Sequence, residues 1–185
     1  MKTSVFVGTS LDGFIARADG SFDFLQESGG NEPHGYEEFF GSVDALLIGR
    51  KTYETVLKFD TWPYGPKPTF VLSTRPLAPS PPGTIVERMS GPPPEVVAAL
   101  AARNLKHVYV DGGITIQRFL EAGVIDRLII ARVPVLIGTG IPLFGALERD
   151  ISLRHVATRV YASGLVQSEY VVPPNKHMQP AGVQI

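Results

Sequence analysis

Cysteine is absent from this chain of 185 residues. That excludes disulfides, thiolate metal sites and a cysteine nucleophile. Charge excess is absent too: 17 basic against 18 acidic residues leave a net charge of −1, and Lys and Arg are scattered rather than clustered. A basic nucleic-acid face is thereby excluded. No apolar run is long enough to span a bilayer, so no membrane partner is expected. Met1 to Val7 carries one charge and an apolar run too short for a signal-peptide core, which makes a cytoplasmic protein the expectation. The four histidines, His34, His107, His155 and His177, lie far apart without metal-ligand spacing, and His107 reads as a strand-end residue. No metal site is expected.

Hydrophobic residues at 44% and charged residues at 19% describe a globular chain. Its length suits one domain, expected over residues 1–173. The tail 174–185 is polar and proline-containing and is expected to be disordered.

Strands are predicted over residues 4–9, Asp44 to Ile48, Thr69 to Ser73, Thr84 to Glu87 and His107 to Asp111. Leu46-Leu47-Ile48 is an aliphatic run suited to a central strand covered on both faces. Helices are predicted over Tyr36 to Gly41, Arg50 to Leu57, Pro94 to Asn104 (with Val97, Leu100 and Ala101 inward) and Thr115 to Ala122. Gly123 is the expected left-handed stop of the last. Polar, glycine-containing loop is expected through Gly20 and again at Gly29-Gly30-Asn31. Arg127 to Ile137 reads as one long β-rich run broken by Pro134, and Leu153 to Tyr161 with Leu165 to Val172 as a hairpin. The pattern predicts an α/β fold: a mixed, mostly parallel sheet with helices on both faces and a C-terminal antiparallel hairpin.

Two turns stand out, Gly49-Arg50-Lys51-Thr52 and Gly112-Gly113-Ile114-Thr115. Each ends a strand and opens a helix, where unused N–H groups and the positive end of the helix dipole favour an anion. Glycine lets a phosphate approach the backbone without meeting a Cβ. Glycine also simply ends strands, so one such turn decides little; two, with Leu72-Ser73-Thr74-Arg75 between them, favour a dinucleotide. Other candidates carry less. Gly8 to Gly13 lacks the spacing of a nucleophile elbow, and in Gly138-Thr139-Gly140 the third fingerprint glycine is replaced by Leu143.

Ser10-Leu11-Asp12-Gly13-Phe14-Ile15-Ala16 resembles the opening signature of the dihydrofolate-reductase-like superfamily. The similarity continues through Leu46 to Tyr53, Phe70 to Arg75, Val108 to Gly113 and Pro134 to Phe144, in family order. It is nearest to the reductase (C-terminal) domain of the bifunctional riboflavin-biosynthesis deaminase-reductase and its standalone bacterial relatives. No counterpart of the deaminase half, with its zinc-ligand cysteines, is present.

That resemblance implies a three-layer sandwich and an NADPH-dependent reductase. It places the pyrophosphate between Gly49, Arg50, Lys51 and Thr52 on one side and Gly112, Gly113, Ile114 and Thr115 on the other. In this superfamily the Gly-Gly peptide is commonly cis. Ser73, Thr74 and Arg75 would surround a 2′-phosphate, where a guanidinium and hydroxyls suit its oxygens. Asp12 is the catalytic candidate, to orient substrate or relay a proton, or else an Asx-turn residue. Gly138, Thr139 and Gly140 are candidates to line the substrate pocket. The expected reaction is of the 5-amino-6-(5-phosphoribosylamino)uracil reductase type. A dihydrofolate reductase is the second reading, weakened because neither Glu37 nor Glu38 falls in register with the acidic residue that binds pterin. A non-catalytic nucleotide-binding protein is the third. Relatives commonly pair, so a homodimer is expected.

Overall fold

The computed structural model describes residues 1–29 and 32–174; most of the predicted tail, 175–185, and the loop residues Gly30 and Asn31 lie outside them. In chain order the elements are β1 (Lys2–Thr9), β2 (Phe14–Ala16), α1 (Asp23–Gly29), α2 (Tyr36–Gly41), β3 (Ala45–Gly49), α3 (Arg50–Val56), β4 (Thr69–Leu72), β5 (Val86–Met89), α4 (Pro93–Ala102), β6 (His107–Asp111), α5 (Gly113–Glu121), β7 (Arg127–Arg132), β8 (Ile141–Pro142), β9 (Arg154–Val160) and β10 (Val166–Val171).

Eight strands form one sheet in the order β5-β4-β3-β6-β1-β7-β10-β9, and β2 pairs with β8 in a small ribbon. The six strands from β5 to β7 run parallel, while β10 pairs antiparallel with both of its neighbours, β7 and β9. Strand β3 is buried from Ala45 to Ile48, as its unbroken aliphatic run requires when both faces are covered. Leu47 and Val110 turn to the face covered by α4 and α5, against Leu100, Ile116 and Phe119. Leu46, Ile48 and Tyr109 turn to the face of α2 and α3, against Phe39 and Tyr53.

Several expectations need correction. Helix α4 points Val96 and Leu100 into the core; Val97 only flanks it and Ala101 is exposed. Two adjacent valines fit a helical stripe equally well, and the sheet selects the pair four residues apart. Strand β7 ends at Arg132 rather than running to Ile137, because the chain leaves the ladder ahead of Pro134, which has no N–H to donate. Helix α5 starts at Gly113, two residues early, and stops at Gly123 (φ 67°) as expected. No cis peptide bond occurs among the described residues, so Gly112–Gly113 is trans. Gly112 makes the turn through φ 98°, a region open to glycine. Helix α1 and the β2–β8 ribbon have no counterpart in the sequence pattern.

Candidate functional site

Strands β3 and β6 are parallel neighbours with Ile48 opposite Asp111, so the turns that follow them emerge side by side. They interlock. A Cβ on Gly49 would stand 2.7 Å from the Thr115 hydroxyl oxygen, and one on Gly112 would overlap the Thr52 hydroxyl oxygen. Each glycine makes room for the threonine in the first turn of the other helix. This packing explains the glycines without a ligand, and it also brings the first turns of α3 and α5 together. Helix geometry leaves N–H groups unused in both. Gly112 is the exception, since its N–H donates to Asp111 Oδ1 at 2.7 Å. Gly113 instead admits the β2–β8 ribbon, which crosses it with Ile15 2.9 Å and the Pro142 carbonyl 3.3 Å from where its Cβ would be.

The sequence-predicted residues divide by what already occupies them. Arg50 is paired with Glu54 one helical turn on. Lys51, Thr74, Arg75 and Ile114 are exposed, while Thr115 is buried. The Ser73 hydroxyl donates to the Arg75 carbonyl (2.7 Å) and accepts from the Arg75 N–H (3.0 Å). Ser73 therefore shapes the loop that carries Arg75 rather than presenting a free hydroxyl. Gly138 and Thr139 are exposed on the segment joining β7 to β8. Gly140 has no room for a side chain, since a Cβ there would overlap the Ala16 carbonyl oxygen.

Asp12 is exposed, and its carboxylate is engaged. Oδ2 accepts from the Gly138 N–H at 2.8 Å and Oδ1 from the Ile137 N–H at 3.3 Å. The Ser10 hydroxyl, then those two N–H groups, holds its pKa below the usual carboxylate range. An anion so held is a poor proton donor.

Asp111 has the opposite character, and the sequence motifs do not single it out as a site residue. It ends a central strand just ahead of the second turn, and burial pushes its pKa up to about 6, against a smaller lowering by the Gly112 N–H. Tyr109, two residues back on the same face, is fully enclosed and donates to the Phe6 carbonyl at 2.7 Å. Tyr36 stands over Tyr109 with ring centres 6.5 Å apart. Burial first, and then the Asp111 charge, pushes the pKa of Tyr36 up to about 12 and raises those of Tyr64 and Tyr109. A strand-terminal acid directly before Gly-Gly is the sequence signal that could have found Asp111.

Two surface cavities, of about 100 and 730 Å³, lie apart from these turns, over β7, β9 and β10. Glu38 lines the smaller with Arg127 and Arg159, and Glu37 is exposed. No group of three or more potential metal ligands occurs among the described residues, and no helix is long and apolar enough to cross a membrane.

A family model for the RibD C-terminal domain matches residues 2–167. The chain belongs to the RibD C-terminal domain family. This RibD-type domain is 34% identical over 172 residues to YwjB of Bacillus subtilis (strain 168), itself uncharacterised, covering 92% of this chain and 97% of YwjB. A Shewanella sp. PV-4 protein named for riboflavin biosynthesis superposes with a TM-score of 0.86 at 39% identity, covering 94% of this chain and 99% of that one. The Thermotoga maritima diaminohydroxyphosphoribosylaminopyrimidine deaminase/5-amino-6-(5-phosphoribosylamino)uracil reductase shares the fold at TM-score 0.67 and 15% identity, over 93% of this chain and 56% of its own. Enterococcus faecalis dihydrofolate reductase, complexed with NADP(H), shares it at TM-score 0.58 and 17% identity, over 92% and 94%. The fold of the RibD-type domain is dihydrofolate-reductase-like.

Proposed function

We propose that this chain is an NADPH-dependent reductase of a small heterocyclic or sugar-linked substrate, of the riboflavin-pathway ribosylaminopyrimidine type. The observation that carries the reading is the pair of interlocked turns, which converges two helix starts beside a half-buried carboxyl. The residues fit a dinucleotide in one specific way. Gly49 and Gly112 let the two helix starts close on one another, each admitting the other helix's threonine, and the exposed Arg75 is held at the end of the Ser73 turn. The first turns of α3 and α5 would hold the pyrophosphate, and Arg75 the 2′-phosphate.

NADPH supplies the hydride. The chain supplies orientation, exclusion of water and a proton. Asp111 suits the last role, because a carboxyl with a pKa of about 6 is partly protonated near neutrality and sits beside the second turn. The Tyr36 ring, 38% exposed, provides a face on which a planar ring can lie. A folate reductase is not favoured, since Glu37 is exposed and Glu38 lines a cavity with Arg127 and Arg159, apart from the turns.

A thermal-shift titration with NADPH and NADH tests the reading. At about 100 times its dissociation constant, a ligand stabilises by roughly 2.7 kcal/mol, several degrees for a domain this size. The expected result is a clear shift with NADPH and a weaker one with NADH, followed by NADPH oxidation with the ribosylaminopyrimidine. No shift with either would remove the cofactor, and binding without turnover across reducible substrates would leave a nucleotide-binding protein.

A further inference from the structure

The segment from Val135 to Leu143 ends against the second turn, where Ile141 and Pro142 meet Gly113, and carries the candidate substrate residues Gly138, Thr139 and Gly140. Its two ends are anchored differently. At the far end, Leu143 is buried and its N–H donates to the Gly13 carbonyl at 2.9 Å, while β8 pairs with β2 and leans on Gly113. At the near end, Val135 and Ile137 pack only partly against a small cluster around Phe24 and Leu165. Between them Leu136 is 68% exposed, and Gly138 and Thr139 are exposed as well. Apolar burial therefore does not fix the tip of this segment.

Its polar anchors come from the β1–β2 turn. The Leu11 N–H donates to the Val135 carbonyl at 2.8 Å, and the Asp12 carboxylate receives the N–H groups of Ile137 and Gly138. Asp12 is itself fixed by a tight turn, in which the Gly13 N–H donates to the Ser10 carbonyl (3.0 Å) and the Phe14 N–H to the Ser10 hydroxyl (3.0 Å). Two N–H groups on one carboxylate are charge-assisted bonds, about twice as strong as neutral ones.

We propose that Asp12 is a positioning residue: its carboxylate clasps the Ile137–Gly138 backbone to the β1–β2 turn and so fixes the Gly138-Thr139-Gly140 tip that leads into β8, the strand lying against the second glycine turn. The clasp rests on the reductase reading only for what the tip does, namely bind substrate. It makes and breaks no covalent bond and moves no proton. Its loss loosens substrate without touching the turns assigned to the cofactor.

The test uses the full chain with Asp12→Asn and Asp12→Ala. Amide hydrogen exchange over residues 135–143 reads the clasp directly. Exchange is expected to be about tenfold or more faster in Asp12→Ala and less affected in Asp12→Asn, whose side-chain oxygen still accepts one bond. Amides of β1 and β6 should be unchanged in both, which separates a released tip from a damaged fold. Unchanged exchange at 135–143 in Asp12→Ala overturns the clasp. With NADPH as probe, both variants should keep the thermal shift of the parent; loss of that shift would make Asp12 part of the cofactor site instead. With the ribosylaminopyrimidine, KM is expected to rise about tenfold with kcat nearly kept, and Asn to recover part of it. A fall in kcat at constant KM, with one limb of the pH profile lost in Asp12→Asn, would make Asp12 a proton carrier and sink the proposal. A parent protein that ignores this substrate would overturn the reductase reading, while the exchange result still judges the clasp.

Discussion

Asp12 and Asp111 show how little residue type says about a carboxylate's role. One is exposed and bound by N–H groups that keep it charged; the other is half-buried at the end of a central strand, where charge is disfavoured. For Asp111 the consequence extends to stability. Its pKa in the folded state, about 6, lies above the ordinary 3.8, so the native state binds the proton more tightly than the unfolded chain. That contribution is fully present below 3.8 and is lost as pH rises through about 6. Denaturant melts of the parent and Asp111→Asn should therefore diverge as pH rises through this window and run parallel above it, with the variant relatively more stable at high pH. Parallel curves throughout would mean that Asp111 is not perturbed. At Arg75 the expectation is selectivity. Arg75→Ala should weaken NADPH binding by about tenfold to a hundredfold, as for loss of a charged hydrogen-bonding partner, and leave NADH binding unchanged. Calorimetric titration of both nucleotides decides it, and an intact preference for NADPH would remove Arg75 from the site.

At the scale of elements, the two glycine turns are the unit that matters, since each is shaped by the other. Gly49→Ala places a methyl group against the Thr115 hydroxyl and should cost about 1–3 kcal/mol. Thr115→Ala removes the obstacle, so the double variant should be less destabilised than the sum of the singles by at least about 0.5 kcal/mol. Strict additivity in a double-mutant cycle would refute the interlock. Both turns are legible in the sequence because strand, glycine and helix follow one another locally. Their contact is not, because it depends on β6 pairing with β3. The same distinction runs through the rest of the fold. Helix α2 and strand β3 carry their own periodicity and are legible nearly to the residue. The β2–β8 ribbon has three residues on one side and two on the other, one of them Pro142, too few to show alternation. Helix α1 lies in a polar stretch, and what holds it is tertiary: Phe24 is buried against Val133 and Leu165, and Asp23 pairs with Arg17. Asp111 is visible as an acid before two glycines, but its burial belongs to the assembled sheet.

For the whole molecule, the sheet is buried at its centre and thin at its β9 edge. Strand β9 is exposed along nearly its full length, with Val156 at 46% and Val160 at 74%. Arg154 and Arg159 on the same strand place cations along an edge that would otherwise invite pairing with other strands. We propose that the exposed valines are covered by a second copy of the chain, giving a homodimer. Sedimentation equilibrium should then show dimers, and Val160→Glu should shift them toward monomers without lowering the melting temperature of the protomer. A monomer at every concentration would refute this.

The order of strands also sets when the site can exist. Strand β6 lies between β3 and β1, so the second turn reaches the first only after a late segment of the chain has inserted between two early ones. Long-range parallel pairing of this kind is slow to form. A nucleotide that needs both turns finds nothing to grip on a half-assembled chain, so it cannot template folding. Its effect falls on the way out: NADPH should lengthen the lifetime of the native state, seen as a slower unfolding limb, while refolding proceeds at the same rate with or without it.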